Sequence, residues 1–136
     1  MRLIAITGGI GSGKSVVSQV LRVMGFQVYD CDNRAKALMV ESNEVRQQLI
    51  KAFGKETYNA DKSLNRVHLS AAAFGNAKAL ELLNSIVHPA TASDMLHWAR
   101  QQAASGAQEA FVETALLRTA GLHRLVDEVW HVTAPA

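Results

Sequence analysis

The sequence predicts an α/β domain built on a parallel sheet. Two observations carry that prediction: four short apolar runs alternate with segments of helical spacing, and the first two runs flank a helix as a βαβ unit. The first run, Leu3-Ile4-Ala5-Ile6, is ended by glycines, as a buried parallel strand is. Val16, Val17, Val20, Leu21 and Met24 then recur at helical spacing, and Gly25 stands where that helix stops. Phe26 to Tyr29 reads as the second strand, ending at Asp30. Parallel pairing of these two strands requires a crossover through the helix.

From about residue 34 to residue 97 the pattern is mainly helical. Val45, Leu49, Ile50 and Phe53 mark one helix, stopped by Gly54, and Asn59-Ala60-Asp61-Lys62-Ser63 is a polar turn. Val67, Leu69, Ala72, Ala73 and Phe74 mark another helix, ending at Gly75. Leu80, Leu83, Ile86 and Val87 lead to His88-Pro89, and Met95, Leu96 and Trp98 carry the pattern on. Pro89 has no backbone N–H, so it either kinks one long helix or opens a new one. The third strand is Ala110-Phe111-Val112-Glu113, preceded by Ser105-Gly106. A short crossover helix is expected between residues 116 and 126, and the fourth strand is Val129-Trp130-His131-Val132, closed by Thr133-Ala134-Pro135.

The chain has 136 residues, 49% of them hydrophobic and 19% charged, which fits one domain and excludes a disordered class. No uninterrupted apolar stretch is long enough for a transmembrane helix, and the start lacks the apolar core of a signal peptide. One cysteine, Cys31, allows no intrachain disulfide and suits a cytoplasmic setting. Net charge is +2, with ten basic and six acidic groups in residues 1–68 against four and six in residues 69–136. That asymmetry suits an anionic ligand but falls short of a nucleic-acid-binding stripe, and no membrane-binding feature accompanies it.

The strongest chemical signal is Gly8-Gly9-Ile10-Gly11-Ser12-Gly13-Lys14-Ser15, a complete G-x-x-x-x-G-K-[ST] between a strand and a helix. Glycines let the backbone turn with positive φ and bring successive N–H groups around phosphate oxygens. The following helix adds free N–H groups and the positive end of its dipole. Gly9, Gly11, Ser12, Gly13, Lys14, Ser15 and Val16 are therefore the expected residues around the phosphates of a nucleoside triphosphate. Lys14 reaches the β/γ-phosphates, and the Ser15 hydroxyl can ligate Mg²⁺. This pattern indicates a nucleoside triphosphate without saying what is done with it.

Ligands of open parallel sheets bind outside the carboxyl ends of the strands, so Asp30-Cys31-Asp32 stands where a carboxylate can take a proton from an attacking hydroxyl. The other reading of this segment is a turn, with Asp32 capping the helix that contains Ala35, Leu38 and Met39. Glu113 ends the third strand in the same way; it either holds Mg²⁺, directly or through water, or is a solvated strand end. His88 on an apolar helical face reads by default as a structural histidine, Cys31 as a small filler, and Trp98 and Trp130 as core. Lys51, Lys55, Lys62 and Arg66 flank the polar turn, either meeting a charged substrate or lying on solvated faces. The histidines and the cysteine show no zinc-ligand spacing.

Beyond the generic loop, Ile6-Thr7-Gly8-Gly9-Ile10-Gly11-Ser12-Gly13-Lys14-Ser15 resembles the opening of the dephospho-CoA kinases. Val28-Tyr29-Asp30-Cys31-Asp32 is similar to that family's next segment. Ala52-Phe53-Gly54, Leu64-Asn65-Arg66, Leu82 to Pro89 and Gly121-Leu122 follow in the family's order. The resemblance implies a three-layer P-loop NTPase fold, with residues 34–100 as a helical acceptor-binding region inside a single domain, 1–136. It implies transfer of the γ-phosphoryl of ATP, with Mg²⁺, to the ribose 3′-hydroxyl of dephospho-CoA, the last step of CoA biosynthesis. In that scheme Asp32 is the catalytic base, Lys14 neutralises phosphate charge, and Asp32, Arg66 and His88 contact the acceptor.

The chain departs from the family pattern in several places. Glu113 replaces an Asp, Ala115 a Pro, Arg118-Thr119 a Phe-Glu pair, and Thr91 an Arg that follows His-Pro in many members. The resemblance further implies that the C-terminal third is missing, the part that carries a basic lid and the adenine-contacting segment. Lids exclude water and complete the charge clamp. The alternative functions are a nucleotide-binding module without transfer activity and another small-molecule P-loop kinase.

Overall fold

The computed structural model describes residues 1–8, 13–115, 117 and 121–132. The chain divides into two compact units, Met1–Arg34 with Ala92–Ala136, and Ala35–Thr91. Each is built around its own core.

Among the described residues the first unit holds four strands: β1 (Arg2–Thr7), β2 (Val28–Asp30), β3 (Glu109–Glu113) and β4 (Glu128–His131). They form one sheet in the order β2-β3-β1-β4, and every pairing is parallel; β3 lies between β1 and β2, which therefore do not pair directly with each other, contrary to the expectation from sequence. Successive side chains of a strand face opposite sides. Leu3, Ala5, Tyr29, Ala110 and Val112 accordingly pack with Met95 and Ala99, while Ile4, Ile6 and Phe111 pack with Leu21. Both faces of β1 and β3 are thus covered, which explains their continuous apolar runs. The covering elements are α1 (Lys14–Val23) on one side and, on the other, the part of α5 (Ala77–Ala104) from Ala92 onward. This is the parallel-sheet α/β arrangement that the alternation of runs predicts, in the three layers that the resemblance implies.

Several sequence expectations are corrected here. The second strand begins at Val28 rather than Phe26. Gly25, at φ 95°, sends its N–H to the Arg22 carbonyl, and the Phe26 N–H returns to the Leu21 carbonyl. That pair of bonds is a Schellman closure of α1, so Phe26 completes a helix instead of opening a strand. On α1 the core positions are Leu21 and the partly buried Val17, while Val16, Val20 and Met24 are exposed. Trp98 is partly buried against the core, but Trp130, on β4, is exposed and leans on Phe111 at 5.2 Å between ring centroids. Of the expected crossover helix, the described residues show a 3-10 turn at Leu122–Arg124.

The second unit is helical: most of α2 (Cys31–Glu41), then α3 (Asn43–Phe53), α4 (Arg66–Leu69) continued by a π-helical turn at Ser70–Phe74, and α5 as far as Thr91. Ser42 caps α3 by accepting from the Val45 N–H, and Gly54 ends it at φ 92°, as its position predicts. The polar turn at 59–63 is pinned by a bridge between Tyr58 and Leu64, and the Tyr58 hydroxyl donates to the Met39 carbonyl at 2.5 Å. Leu49, Ala73, Val45 and Leu69 centre the core of this unit. Pro89 lies inside a continuous α5 and neither breaks it nor opens a new helix.

Candidate active site

The site is assembled at the carboxyl ends of the parallel strands. The ladder pairs Ile6 with Glu113 and Glu113 with Asp30, so the ends of β1, β3 and β2 lie side by side. Beyond β1 the chain enters the glycine loop. Gly9, Ile10, Gly11 and Ser12 lie outside the described residues. Gly13 takes φ 92° and caps α1, and its carbonyl accepts from the Val16 and Val17 amides. The N–H groups ahead of these belong to the open end of the helix, where an anion is favoured. Lys14 and Ser15 are the first two residues of α1, and Val16 follows on an exposed face.

Two predicted residues meet directly. The Ser15 hydroxyl donates to Glu113 Oε1 at 3.3 Å. Glu113 is 7% exposed, so it is a buried carboxylate facing Ser15 and not the solvated strand end that its position alone allows. A hydroxyl and a carboxylate side by side form a hard-oxygen donor pair of the kind Mg²⁺ accepts, the ion keeping waters and substrate phosphates for its other positions. Among the described residues there is no cluster of three or more His, Cys, Asp or Glu for a protein-only metal site.

Asp30 and Asp32 have separated roles. Asp30 accepts from the Asn33 N–H at 3.1 Å and from the Asn33 side chain at 2.8 Å, so it caps α2. Asp32, expected as the alternative cap, instead sits inside the helix's first turn and is partly exposed. Between them Cys31 is buried, and burial together with the neighbouring Asp32 charge pushes its thiol up to about 12. It is a packed filler in the folded chain, as its surroundings in sequence suggest.

A cluster that the sequence does not announce lies just behind this turn. The Arg34 guanidinium makes two bonds to Asp94, Nε to Oδ2 at 3.1 Å and an Nη to Oδ1 at 3.3 Å. The Tyr29 hydroxyl donates to the same Oδ2 at 2.6 Å. Burial opposes ionisation of Asp94, but the hydrogen bonds from Arg34 and Tyr29 outweigh it and hold the carboxyl below the ordinary range. Burial and the bond to Asp94 push the Tyr29 phenol up. Tyr29 also packs on Trp98 at 5.3 Å, beside a cavity of about 430 Å³. Asp94 falls in a helical stretch with no motif, and its partners lie 60 and 65 positions away, so nothing in a single sequence marks it.

The remaining predicted residues belong to the second unit. Arg66 opens α4, is exposed, and borders a cavity of about 410 Å³ together with Lys36; Met39, Leu64, Leu69 and Phe74 form its apolar lining. His88 is half-buried on α5, where burial lowers its pKa. Thr91, standing where an Arg is common, is buried and donates to the Val87 carbonyl at 2.8 Å. Arg118 and Thr119 lie outside the described residues.

Comparison with known proteins bears on the family and the fold. The family model for dephospho-CoA kinase matches residues 2–136. The dephospho-CoA kinase of Porphyromonas gingivalis is 43% identical over 135 residues, covering 99% of this chain and 65% of that protein. The chain likewise spans 65% of the Carboxydothermus hydrogenoformans enzyme of the same name. A crystal structure of TT1252 from Thermus thermophilus superposes with a TM-score of 0.80 at 28% identity, covering 98% of this chain and 66% of that one. The dephospho-CoA kinase from Campylobacter jejuni shares the fold, with a TM-score of 0.76 at 23% identity over 95% of this chain and 66% of that one. With the family model matched over residues 2–136 and a Ser15–Glu113 pair at the strand ends, the chain belongs to the dephospho-CoA kinase family.

Proposed function

We propose that this chain carries phosphoryl-transfer machinery that moves the γ-phosphoryl of ATP to the ribose 3′-hydroxyl of dephospho-CoA, giving CoA and ADP. The observation that supports it most is the Ser15–Glu113 contact, which joins the glycine loop to the buried acid of β3 in a chain of this family. In this reading the loop amides and Lys14 hold and neutralise the phosphates. Ser15 and Glu113 would hold Mg²⁺, which supplies charge neutralisation of the phosphate oxygens when bound. Asp32 accepts the proton of the 3′-hydroxyl as its oxygen bonds to the γ-phosphorus and the bond to the ADP oxygen breaks. Its place at the carboxyl end of β2, partly exposed and with the helix cap taken by Asp30, supports that role. Gly9, Gly11, Ser12, Gly13 and Val16 complete the ATP-binding set.

Arg66 and His88 are proposed acceptor contacts. An apolar cavity rimmed by Lys36 and Arg66 suits an acceptor that carries a pyrophosphate and a long, largely neutral arm. Residues 34–100 are then the acceptor-binding region of one domain. Among the described residues no helix is long and apolar enough to cross a membrane. A cytoplasmic location is part of the proposal, supported by the lone, buried Cys31.

The test is to incubate the purified protein with ATP, Mg²⁺ and dephospho-CoA and to resolve CoA by chromatography. CoA formation that falls at least about 10²-fold in Asp32→Asn, with ATP binding retained, is the expected result. ATP binding with no CoA in either form would favour a binding module without transfer activity. Faster turnover of a different acceptor would assign another small-molecule kinase.

A further inference from the structure

We infer that Arg34 and Asp94 are positioning residues that fix the first turn of α2, and with it Asp32, against β2 and α5. The inference rests on the reading of Asp32 as base. Asp32 stands in the first turn of a helix, next to its start. Helix ends fray, and a single cap such as Asp30 contributes only about 1 kcal/mol. A base that must lie within hydrogen-bond reach of one hydroxyl needs a firmer hold, since a misplacement of about 1 Å can lower a rate by about 10²-fold.

The hold is present in the chain segment itself. Tyr29 lies three residues before Asp32 and Arg34 two residues after it, and both bond the Asp94 carboxylate. The segment 29–34 is therefore pinned on both sides of Asp32 to one group on another helix. The contact on the Arg34 side is bidentate, a geometry that fixes direction as well as distance. Tyr29 is buried in the sheet core, so the carboxylate is anchored to a rigid element rather than to a loop. Asp94 is a quarter exposed at its side chain and Arg34 38% exposed, so the pair lies at the edge of the core and not within it.

The experiment is a cycle on the full-length protein, with kcat and KM for ATP measured for Asp94→Ala, Asp94→Asn, Arg34→Lys, Asp32→Asn and the double variant Asp32→Asn/Asp94→Ala. We expect Asp94→Ala to lower kcat by about tenfold or more with KM for ATP little changed, and Arg34→Lys, which keeps the charge but loses the fork, to lower it less. Asp94→Asn keeps an acceptor for both donors and should recover part of the loss. In the Asp32→Asn background the Asp94→Ala change should add almost nothing, because its effect runs through the missing base. A loss of the same factor in both backgrounds would overturn the proposal and leave Asp94 a general stability residue. Full kcat in Asp94→Ala would also overturn it. Full kcat in Asp32→Asn alone would instead overturn the reading of Asp32 on which this rests. Should Asp94→Ala unfold, by its thermal transition, Arg34→Lys and Asp94→Asn in the two backgrounds decide the question.

Discussion

The buried thiol between the two acids offers a direct measure of the electrostatics at the end of β2. Its pKa is pushed from 9.0 to about 12, first by burial and then by the charge of Asp32. A rise of that size lowers the thiolate fraction about 10³-fold at any pH well below 9. Since the thiolate is the nucleophile and burial also limits access, alkylation by iodoacetamide at pH 8 should run at least about 10³-fold slower in the folded protein than in denaturant. Mass spectrometry of quenched time points gives both rates. Labelling of the folded chain within about tenfold of the unfolded rate would refute this account of the D-C-D segment. Asp32→Asn removes the second cause and should speed labelling without matching the unfolded chain; an unchanged rate would mean that Asp32 does not act on the thiol. The same shift fixes a stability trend. Because the folded value lies above the unfolded one, the thiol's contribution is complete below about pH 9 and is lost as pH rises toward 12, by about 1.4 kcal/mol per pH unit. Cys31→Ser should flatten that alkaline decline in urea titrations.

Three further outcomes are expected. Lys14→Ala should weaken ATP binding about 10- to 100-fold in calorimetric titration, the range for losing a charged hydrogen-bond donor, and an unchanged Kd would count against its place on the phosphates. Glu113→Gln keeps the shape and the Ser15 contact but loses the charge, so ATP binding should need more Mg²⁺; an unmoved Mg²⁺ midpoint would remove Glu113 from the metal site. Phe111→Ala empties the centre of the sheet, where the ring is 1% exposed and contacts Phe26 at 5.3 Å and Trp130 at 5.2 Å. It should destabilise the protein by about 3–5 kcal/mol in urea unfolding, and a loss under about 1 kcal/mol would show that the core is not centred there.

The parts legible in the sequence are those where local chemistry and global fold agree. The run Leu3 to Ile6, the glycine loop and the stop at Gly25 each carry a local signal strong enough to stand alone. Phe26 misleads because an apolar residue after a glycine suits a strand and a Schellman closure equally, and only the Leu21 carbonyl decides. Val16 and Val20 mislead because valine on a helix marks a face without saying which face the sheet covers. The phosphate loop and the strand-end acids are readable as motifs. The division of labour between Asp30 and Asp32 is not, since either can cap a helix and the register at Asn33 chooses. The Tyr29–Arg34–Asp94 cluster is illegible for a deeper reason: it exists only once α5 is packed on β2.

The order of strands in the sheet also bears on how the chain comes together in time. Of the four described strands β1 precedes the others in the chain, yet its two neighbours are β3 and β4, which emerge about a hundred residues or more after it, with Leu3 paired to Ala110 and Ala5 to Val129. At about 5–20 residues per second of synthesis, β1 waits on the order of several seconds with neither of these partners. The contiguous helical stretch from Ala35 to Thr91 has all its own core residues by then and needs no such wait. Long loop closure slows pairing further, because its entropy is lost before any ladder bond forms. The nascent chain therefore holds the apolar strand β1 exposed until β3 emerges, and that interval is when chaperones and aggregation compete for it.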